Sequence, residues 1–370
     1  MRPLAVSVFF VPLLAASAAA AGFEEARSRA QAAHQAQRLD EAAQSYHEAL
    51  DQQPKWDEGR WALGTVLYEL ERWGECRQQF EQLTANQPQL GGAWAFRGLC
   101  EFRERRYDAA LGSLERITTL GLPEGSPIAP VAQYHLGALL TRAGRFEESI
   151  RLLEALAAVT QQPSADLIEA LGLSMLRVPA LPGEAAPRSP ESERRNPEAV
   201  RLAGNAAYLA ATSDVDAARK LLEDLTARFP KEPNAHYAFG AFLLNGDADR
   251  AIAEFRRELE VSPGSVAARL QLAFEFLKRN QFSDGLPYAR EAVAAKPDDF
   301  AARHAYGRLL LGAGDVGEAV RQLEAAVRLA PDSPQSRFAL ARAYSRAGRK
   351  QDSEREHAEF QRLEKLQQKR

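Results

Sequence analysis

The sequence has little cysteine, little methionine and almost no excess of either charge. Its 370 residues include two cysteines and two methionines, and the formal net charge is −3. Nucleic-acid-binding proteins usually carry a clear basic excess, so we expect no nucleic-acid partner. Cys76 and Cys100 leave two readings open: they pair in an oxidising compartment, or they lie as two small thiols in a helical core.

Signatures of local chemistry are also missing. None of the six histidines belongs to an HExxH pattern, and the chain has no CxxC, no phosphate-binding glycine loop and no GxSxG. Nothing in the local sequence suggests a Ser-His-Asp arrangement either. We therefore predict a protein that is not an enzyme and that uses no cofactor and no metal.

Only one hydrophobic run approaches membrane-spanning length, and it lies at the N-terminus. Arg2 is followed by the apolar run Leu4–Leu14 and then by the small residues Ala15–Ala21. This order is typical of a secretory signal peptide, so residues 1–21 are predicted to be one and the protein to be periplasmic or secreted. The alternative is an uncleaved membrane anchor, because Leu4–Ala21 is barely long enough to span a bilayer.

What the chain has in abundance is a period of 34 residues marked by proline. Pro54 and Pro88 lie 34 residues apart, and so do Pro263, Pro297 and Pro331 in succession. Proline cannot continue a helix, so a fixed proline period predicts helices that end at a fixed period. If this proline is position 32, the repeats start near Phe23, Asp57, Gly91, Pro130, Ala165, Pro197, Pro233, Val266, Phe300 and Pro334.

Two positions of the repeat are always small. Position 20 is Ala, Ser, Gly or Cys in nine repeats, and the fifth repeat lacks it. A glycine inside a helix costs roughly 1 kcal/mol relative to alanine, so glycine recurring at one phase indicates close packing of two helices. Position 8 is Gly or Ala in all ten repeats: Ala30, Gly64, Gly98, Gly137, Gly172, Gly204, Gly240, Ala273, Gly307 and Ala341.

A helix–turn–helix repeat of 34 residues with small residues at positions 8 and 20 and proline at position 32 resembles the tetratricopeptide repeat. The resemblance covers Phe23 to about Gln361 and suggests an exported bacterial member of this family. It implies an all-α fold, a right-handed superhelical solenoid of about ten helix–turn–helix repeats, one of them degenerate.

The array is interrupted after the first helix of the fifth repeat. Five prolines in Val178–Pro197 rule out a second helix there. We interpret residues 178–197 as an exposed Pro-rich linker or hinge between an N-terminal array, 22–177, and a C-terminal array, 198–370, which ends in a polar capping helix. A proline-rich docking ligand is the alternative interpretation.

The resemblance also implies where a partner binds. In proteins of this family the first helices line a concave groove, and aromatic and arginine side chains there match the chemistry of interaction hot spots. Several of the aromatics could instead pack against the adjacent helix. Glu69, Leu99, Thr141 and Arg346 occupy positions of the same kind. The main candidates are Trp61, Thr65, Tyr68, Phe102, Arg103, Tyr134, Arg142, Tyr237, Asn245, Phe274, Lys278, His304, Arg308, Phe338 and Arg342.

These patterns predict a protein–protein interaction scaffold that binds a peptide or protein segment in the groove. One alternative is binding of cell-wall or extracellular polysaccharide, which exposed aromatics with few arginines would favour. Another is an accessory subunit of a membrane-associated complex, which an uncleaved N-terminal segment would favour. The partner itself and the oligomeric state are not specified by these patterns.

The N-terminal pattern gives a direct test. Because small residues precede the expected cleavage site, the mature protein should begin near Ala21 or Gly22. N-terminal sequencing of the protein recovered from an export-competent host checks this. An intact Met1 in the soluble cytoplasmic fraction would contradict it.

Overall fold

The computed structural model describes residues 12–184 and 196–368, with side chains described from residue 21 onward. Within these ranges every regular element is an α-helix, and there are 19 of them. The chain forms two compact bodies. Among the described residues, the N-terminal body comprises residues 12–170 together with Val178–Glu184, and the C-terminal body comprises Leu171–Arg177 together with residues 196–368.

The N-terminal body contains four helix pairs and the start of a ninth helix. In each pair the first helix and the second helix are neighbours in space as well as in sequence. The helices are α1 (Pro12–Gln35), α2 (Leu39–Gln52), α3 (Asp57–Glu69), α4 (Trp73–Asn86), α5 (Gly91–Arg103), α6 (Tyr107–Leu120), α7 (Ala129–Arg142), α8 (Phe146–Ala158) and α9 (Ala165–Met175).

The C-terminal body contains the end of α9 and five further pairs. They are α10 (Pro197–Ala211), α11 (Val215–Arg228), α12 (Ala235–Leu243), α13 (Ala248–Val261), α14 (Val266–Lys278), α15 (Phe282–Ala295), α16 (Phe300–Ala313), α17 (Val316–Leu329), α18 (Pro334–Arg346) and α19 (Lys350–Gln367).

Neighbouring repeats also contact each other through their first helices, α3 with α5 and α5 with α7 in one body, and α14 with α16 and α16 with α18 in the other. The predicted all-α repeat fold is confirmed. Within the described residues, nine repeats have both helices and the fifth has only α9, as the prolines of that repeat predicted.

Short turns join the two helices of each repeat, and one turn residue has a positive φ. Glycine occupies this place at Gly144, Gly314 and Gly348, with φ of 76°, 94° and 76°. Other repeats use larger residues such as Glu71 and Arg105, with φ of 58° and 59°. Left-handed backbone costs a residue with a side chain roughly 1–2 kcal/mol, so the glycine turns are the less strained ones.

Capping side chains fix several helix starts in the C-terminal body. Asp247 accepts a hydrogen bond from the backbone N–H of Arg250 at 3.0 Å, and Asp299 accepts one from Ala302 at 2.9 Å. Such caps satisfy an N–H that has no partner within the helix and contribute about 1 kcal/mol each.

The two helices of a repeat pack closely at the position 8 glycine. A Cβ atom added to Gly64 would lie 2.6 Å from the ring of Phe80, and one added to Gly307 would lie 2.6 Å from Cγ of Leu323. Phe80 and Leu323 are both fully buried. The first helix therefore needs glycine because a large side chain of the second helix rests directly on its backbone.

In the fifth repeat, a different helix packs against the position 8 glycine. The described residues of this repeat form no second helix, and a Cβ atom added to Gly172 on α9 would lie 2.0 Å from the backbone carbonyl oxygen of Val200 on α10. The next repeat's first helix therefore packs on the glycine in this repeat. A backbone carbonyl cannot move aside as a side chain can, so this approach tolerates substitution less than those at Gly64 and Gly307.

The predicted linker is only partly described. Residues 178–184 form no helix, as expected, and residues 185–195 lie outside the described residues, as do residues 1–11 of the predicted signal peptide. The interpretation of the linker as exposed is wrong for its beginning. Ala180 and Leu181 are buried, and Leu181 belongs to an apolar cluster with residues of α6 and α7. Helices of the N-terminal body therefore cover Leu181.

We predict that Gly172→Ala lowers the free energy of unfolding by about 1–3 kcal/mol, because the added methyl group overpacks a backbone contact. Gly112→Ala on α6 is the matched control, since a Cβ atom there meets nothing within 4 Å. This control should stabilise the protein by up to about 1 kcal/mol, the difference in helix propensity. Chemical denaturation followed by circular dichroism measures both, and equal effects of the two variants would contradict the packing argument.

Candidate partner-binding site

The candidate groove residues of the N-terminal body are mostly half-buried in contacts among helices. The ring of Trp61 lies edge-to-face with Phe80 at 5.5 Å and with Phe96 at 5.6 Å between centroids. Thr65 donates a hydrogen bond to the Ala62 carbonyl at 2.9 Å. Trp61 thus contributes to the packing between α3, α4 and α5.

Arginines in this body rest on aromatic rings of the preceding repeat. Arg103 lies over Trp73 at 5.5 Å, and Arg142 lies over Tyr107 at 4.7 Å. Tyr68 packs edge-to-face on the same Trp73 at 5.1 Å. Contacts of this kind between a guanidinium and a ring are worth about 0.5–1 kcal/mol at exposed sites. They orient the two arginines at the ends of α5 and α7.

Phe102 and Tyr134 complete the set in this body. Phe102 contacts the rings of Tyr107 at 5.5 Å and His135 at 4.3 Å. Burial, together with the nearby Asp166 and Glu169, raises the pKa of the Tyr134 hydroxyl, so this group stays neutral. Two aromatic residues that the sequence did not single out are Trp73 and Tyr107, which begin α4 and α6. Their signal was an aromatic residue directly after the turn in successive repeats.

Four of the predicted groove positions are interior positions, which corrects the sequence-based expectation for them. Each is at most 8% exposed, so its side chain offers little surface to a partner. The ring of Tyr237, for example, lies 5.7 Å from that of Phe255 and has Arg177 stacked over it at 5.2 Å. The four residues are Leu99, Thr141, Tyr237 and His304.

Three other candidates in the C-terminal body lie on α14 or just beyond α12. Asn245 is exposed at the end of α12. Phe274 is half-buried and packs against the apolar cluster around Leu309. Lys278 is exposed and lies 3.7 Å from the carboxylate of Glu275.

The remaining candidates of this body come together in one pocket of about 380 Å³. We call it the arginine pocket, and it is lined by three arginines and three phenylalanines from α15, α16, α18 and α19. Leu277 and Leu311 add apolar surface, and Asn280 and Gln335 are polar residues at its lining. The six defining residues are Arg308, Arg342, Arg346, Phe282, Phe338 and Phe360.

The arginine pocket combines exposed aromatic surface with cationic groups. Phe338 is 41% exposed, its ring lies 5.2 Å from that of Phe360, and Arg342 stacks over it at 6.0 Å. Arg346 donates a hydrogen bond to the Leu311 carbonyl at 2.6 Å, which holds its guanidinium at the end of α16. Burial lowers the pKa of Arg308, and the positive charge of Arg342 lowers it further.

A disulfide joins two neighbouring repeats in the N-terminal body. Cys76 on α4 and Cys100 on α5 are bonded, and both are fully buried. Of the two readings left open by the sequence, the structure has the pair. A bond that closes a loop of this length restricts the unfolded chain and stabilises the fold by about 3 kcal/mol in the chain-entropy model.

Within 12–184 and 196–368, no three residues among His, Cys, Asp and Glu come together in a way that could hold a metal ion. In the same part of the chain, no helix combines the length and the apolar composition that crossing a membrane requires.

Known protein families match the repeats directly. Two family models, both described as tetratricopeptide repeat, match residues 62–121 and 204–266 and residues 276–335 and 310–356. Together these segments cover more than half of the chain. The chain belongs to the tetratricopeptide repeat family.

Individual relatives are more distant. Cellulose synthase operon protein C of Xanthomonas axonopodis pv. citri (strain 306) is 31% identical over 147 residues, which is 38% of this chain and 10% of that protein. The solved structure titled MamA RS-1 ArsTM double mutant has a TM-score of 0.44 at 22% identity and covers 47% of this chain and 99% of its own. MamA 41-end from Desulfovibrio magneticus RS-1 has a TM-score of 0.43 at 22% identity, covering 46% and 98%.

The buried His304 predicts a loss of stability in acid. Its Nδ1 lies 2.8 Å from the Ser336 hydroxyl, and burial, followed by the charge of Arg308, lowers its pKa to about 4. The unfolded state, with a histidine pKa of about 6.5, takes up the proton first as the pH falls. The free energy of unfolding should therefore be unaffected by this group above pH ~6.5 and fall by up to about 3 kcal/mol as the pH approaches ~4.

The measurement compares urea midpoints at neutral and acidic pH for the parent, His304→Asn and His357→Asn. His357 is exposed on α19 and serves as the matched control. The His304 variant should lose less stability on acidification than the parent, and the His357 variant should behave like the parent. An unchanged pH dependence in His304→Asn would contradict the assignment.

Proposed function

We propose that this tetratricopeptide repeat protein is an exported interaction scaffold, which binds a peptide or protein segment in the periplasm or outside the cell. The observation that carries the proposal is the arginine pocket. It collects predicted groove residues from the first helices α16 and α18, and it leaves Phe338 and three arginines accessible.

The composition of the pocket supports binding of a protein. Interface hot spots are enriched in aromatic side chains and arginine, and they lie in pockets that exclude water. The three phenylalanines supply apolar area, whereas the guanidiniums supply directed hydrogen-bond donors. A volume of about 380 Å³ accommodates a few side chains. A segment of a partner, and not a whole domain, therefore enters the pocket.

Two observations support an exported location. The N-terminal sequence has the charged start, apolar run and small-residue end of a signal peptide. The buried disulfide between Cys76 and Cys100 agrees with it, because such bonds persist in oxidising compartments and are rare in the cytosol. We further propose that the protein has no catalytic role, which the scaffold character of its family supports.

A second candidate function is binding of cell-wall or extracellular polysaccharide. The observation that favours it is the similarity to a cellulose synthase operon protein, of which this chain matches a tenth. The pocket favours the protein partner, since its two uncharged polar residues, Asn280 and Gln335, offer few groups for sugar hydroxyls. A role as accessory subunit of a membrane-associated complex becomes the better proposal if the N-terminal segment stays uncleaved.

Site-specific photo-crosslinking tests the scaffold proposal in cells that export the protein. A photoreactive amino acid in place of Gln335, an exposed residue of the pocket, should give a discrete adduct. The same replacement at Arg321, exposed on α17 away from the pocket, should not. Digestion of the adduct by protease supports a protein partner. An adduct that only glycan hydrolysis removes would contradict it and favour the polysaccharide.

Phe338→Ala should weaken partner binding by about 2 kcal/mol, close to thirtyfold, because it removes an accessible aromatic anchor. Its melting temperature should stay near that of the parent, since the ring is 41% exposed. Crosslinking yield from position 335 measures the loss, with Arg321→Ala as the control variant. Equal yields from parent and Phe338→Ala would contradict the role of the pocket.

A further inference from the structure

The arginine pocket is a site of uncompensated positive charge. Arg308 on α16 and Arg342 on α18 come from the same position of successive repeats, and Arg346 follows one turn later. The pocket lining contains these three arginines and no aspartate or glutamate. Across the described residues, 12–184 and 196–368, no ion pair joins any of the three to a carboxylate.

Other arginines of the same body are neutralised by glutamate carboxylates. Arg337 lies 2.6 Å from the Glu356 carboxylate, and Arg269 lies 2.9 Å from that of Glu291. In each of these pairs, an arginine and a glutamate on two different helices neutralise each other. Arg308 and Arg342 instead face each other's charge, and this repulsion, after burial, is why the pKa of Arg308 is lowered. A bound carboxylate would relieve the repulsion and would accept hydrogen bonds from the planar guanidinium groups.

The floor of the pocket sets a second requirement on the ligand. Phe338 and Phe360 pack at 5.2 Å between ring centroids, and Phe282 and Leu311 continue the apolar surface toward α16. A ligand that is only anionic leaves this apolar surface exposed to water, which is unfavourable. An apolar side chain next to the carboxylates covers it.

We propose that the arginine pocket binds an acidic segment of a partner protein, with one apolar side chain on the phenylalanine floor and two or more Asp or Glu carboxylates on Arg308, Arg342 and Arg346. This proposal rests on the scaffold function and names the chemistry of its partner. Three guanidiniums carry more charge than a single chain-terminal carboxylate neutralises, so side-chain carboxylates are the source. An acidic polysaccharide would supply the charge but not the apolar group.

Synthetic peptides and the full mature chain test the proposal by fluorescence anisotropy. The reference peptide carries Asp and Glu on both sides of a Leu or Phe and has an amidated C-terminus. One comparison peptide replaces the acids by Asn and Gln, a second replaces the apolar residue by Gly, and a third keeps Gln but has a free C-terminal carboxylate. An oligogalacturonate and inorganic phosphate are the non-peptide arms.

The reference peptide should bind at least tenfold more tightly than each of the other probes, and its affinity should fall with added salt because charge pairs are screened. Arg308→Gln and Arg342→Gln should each weaken it about tenfold, whereas Arg321→Gln should leave it unchanged. Arg308→Glu combined with Arg342→Glu changes the summed charge of the three arginine positions from +3 to −1 and should reverse the preference, so that a lysine version of the peptide binds better than the acidic one. This reversal requires a folded pocket, so it separates lost charge from lost fold.

Equal binding of the neutral peptide would overturn the proposal, and so would tighter binding of the free-terminus peptide, of the oligogalacturonate or of phosphate. Failure here and failure of the scaffold function give different results. If crosslinking from position 335 yields a protein adduct while the peptides show no preference for acids, the scaffold stands and the acidic chemistry is wrong. If no protein adduct forms either, both fail.

Discussion

The close approach of two helices at the position 8 glycine is the contact on which the rest of the structure depends. A phenylalanine or leucine of the second helix rests on the bare backbone of the first, so the distance and the rotation between the two helices are set together. This packing determines which face of each first helix is left uncovered by the second helix of the same repeat. Successive first helices then lie next to one another, α14 with α16 and α16 with α18. Equivalent positions of neighbouring repeats therefore meet, and Arg308 and Arg342 meet in this way.

Two features of helix packing in the last repeats produce the arginine pocket. Stacking brings like charges together, which is unfavourable, and α19 covers the apolar side of α18 with Phe360 and the buried Leu363. Elsewhere in the same body, arginines are neutralised by carboxylates of neighbouring helices, as Arg337 is by Glu356. The pocket lining has no such carboxylate. Positive charge that has no carboxylate partner and lies beside an exposed phenylalanine contributes more to recognition of a partner than to stability of the fold.

The sequence predicted the features that depend on the repeat register. It did not predict the features that depend on contacts with residues of other repeats or helices. The proline period and the glycine phase are local, so the helix pairs and the single-helix fifth repeat could be read directly. Register also placed Arg308, Phe338 and Arg342 on one surface. Burial of His304 could not be read, because it depends on Ser336 one repeat later. Phe282 and Phe360 were missed because they lie at the start of α15 and on the last helix, outside the groove positions. The cover over Leu181 likewise comes from helices distant in sequence.

The disulfide gives the array a mechanical property that helix packing alone would not. A stack of repeats held by nearest-neighbour contacts unravels one helix after another when its ends are pulled. Cys76 and Cys100 are separated by 24 residues and join α4 to α5, so the end of one repeat and the start of the next cannot separate. Roughly 80 Å of chain length is withheld from extension at ~3.4 Å per residue. Under tension the oxidised protein therefore keeps a fixed link where its other repeats yield.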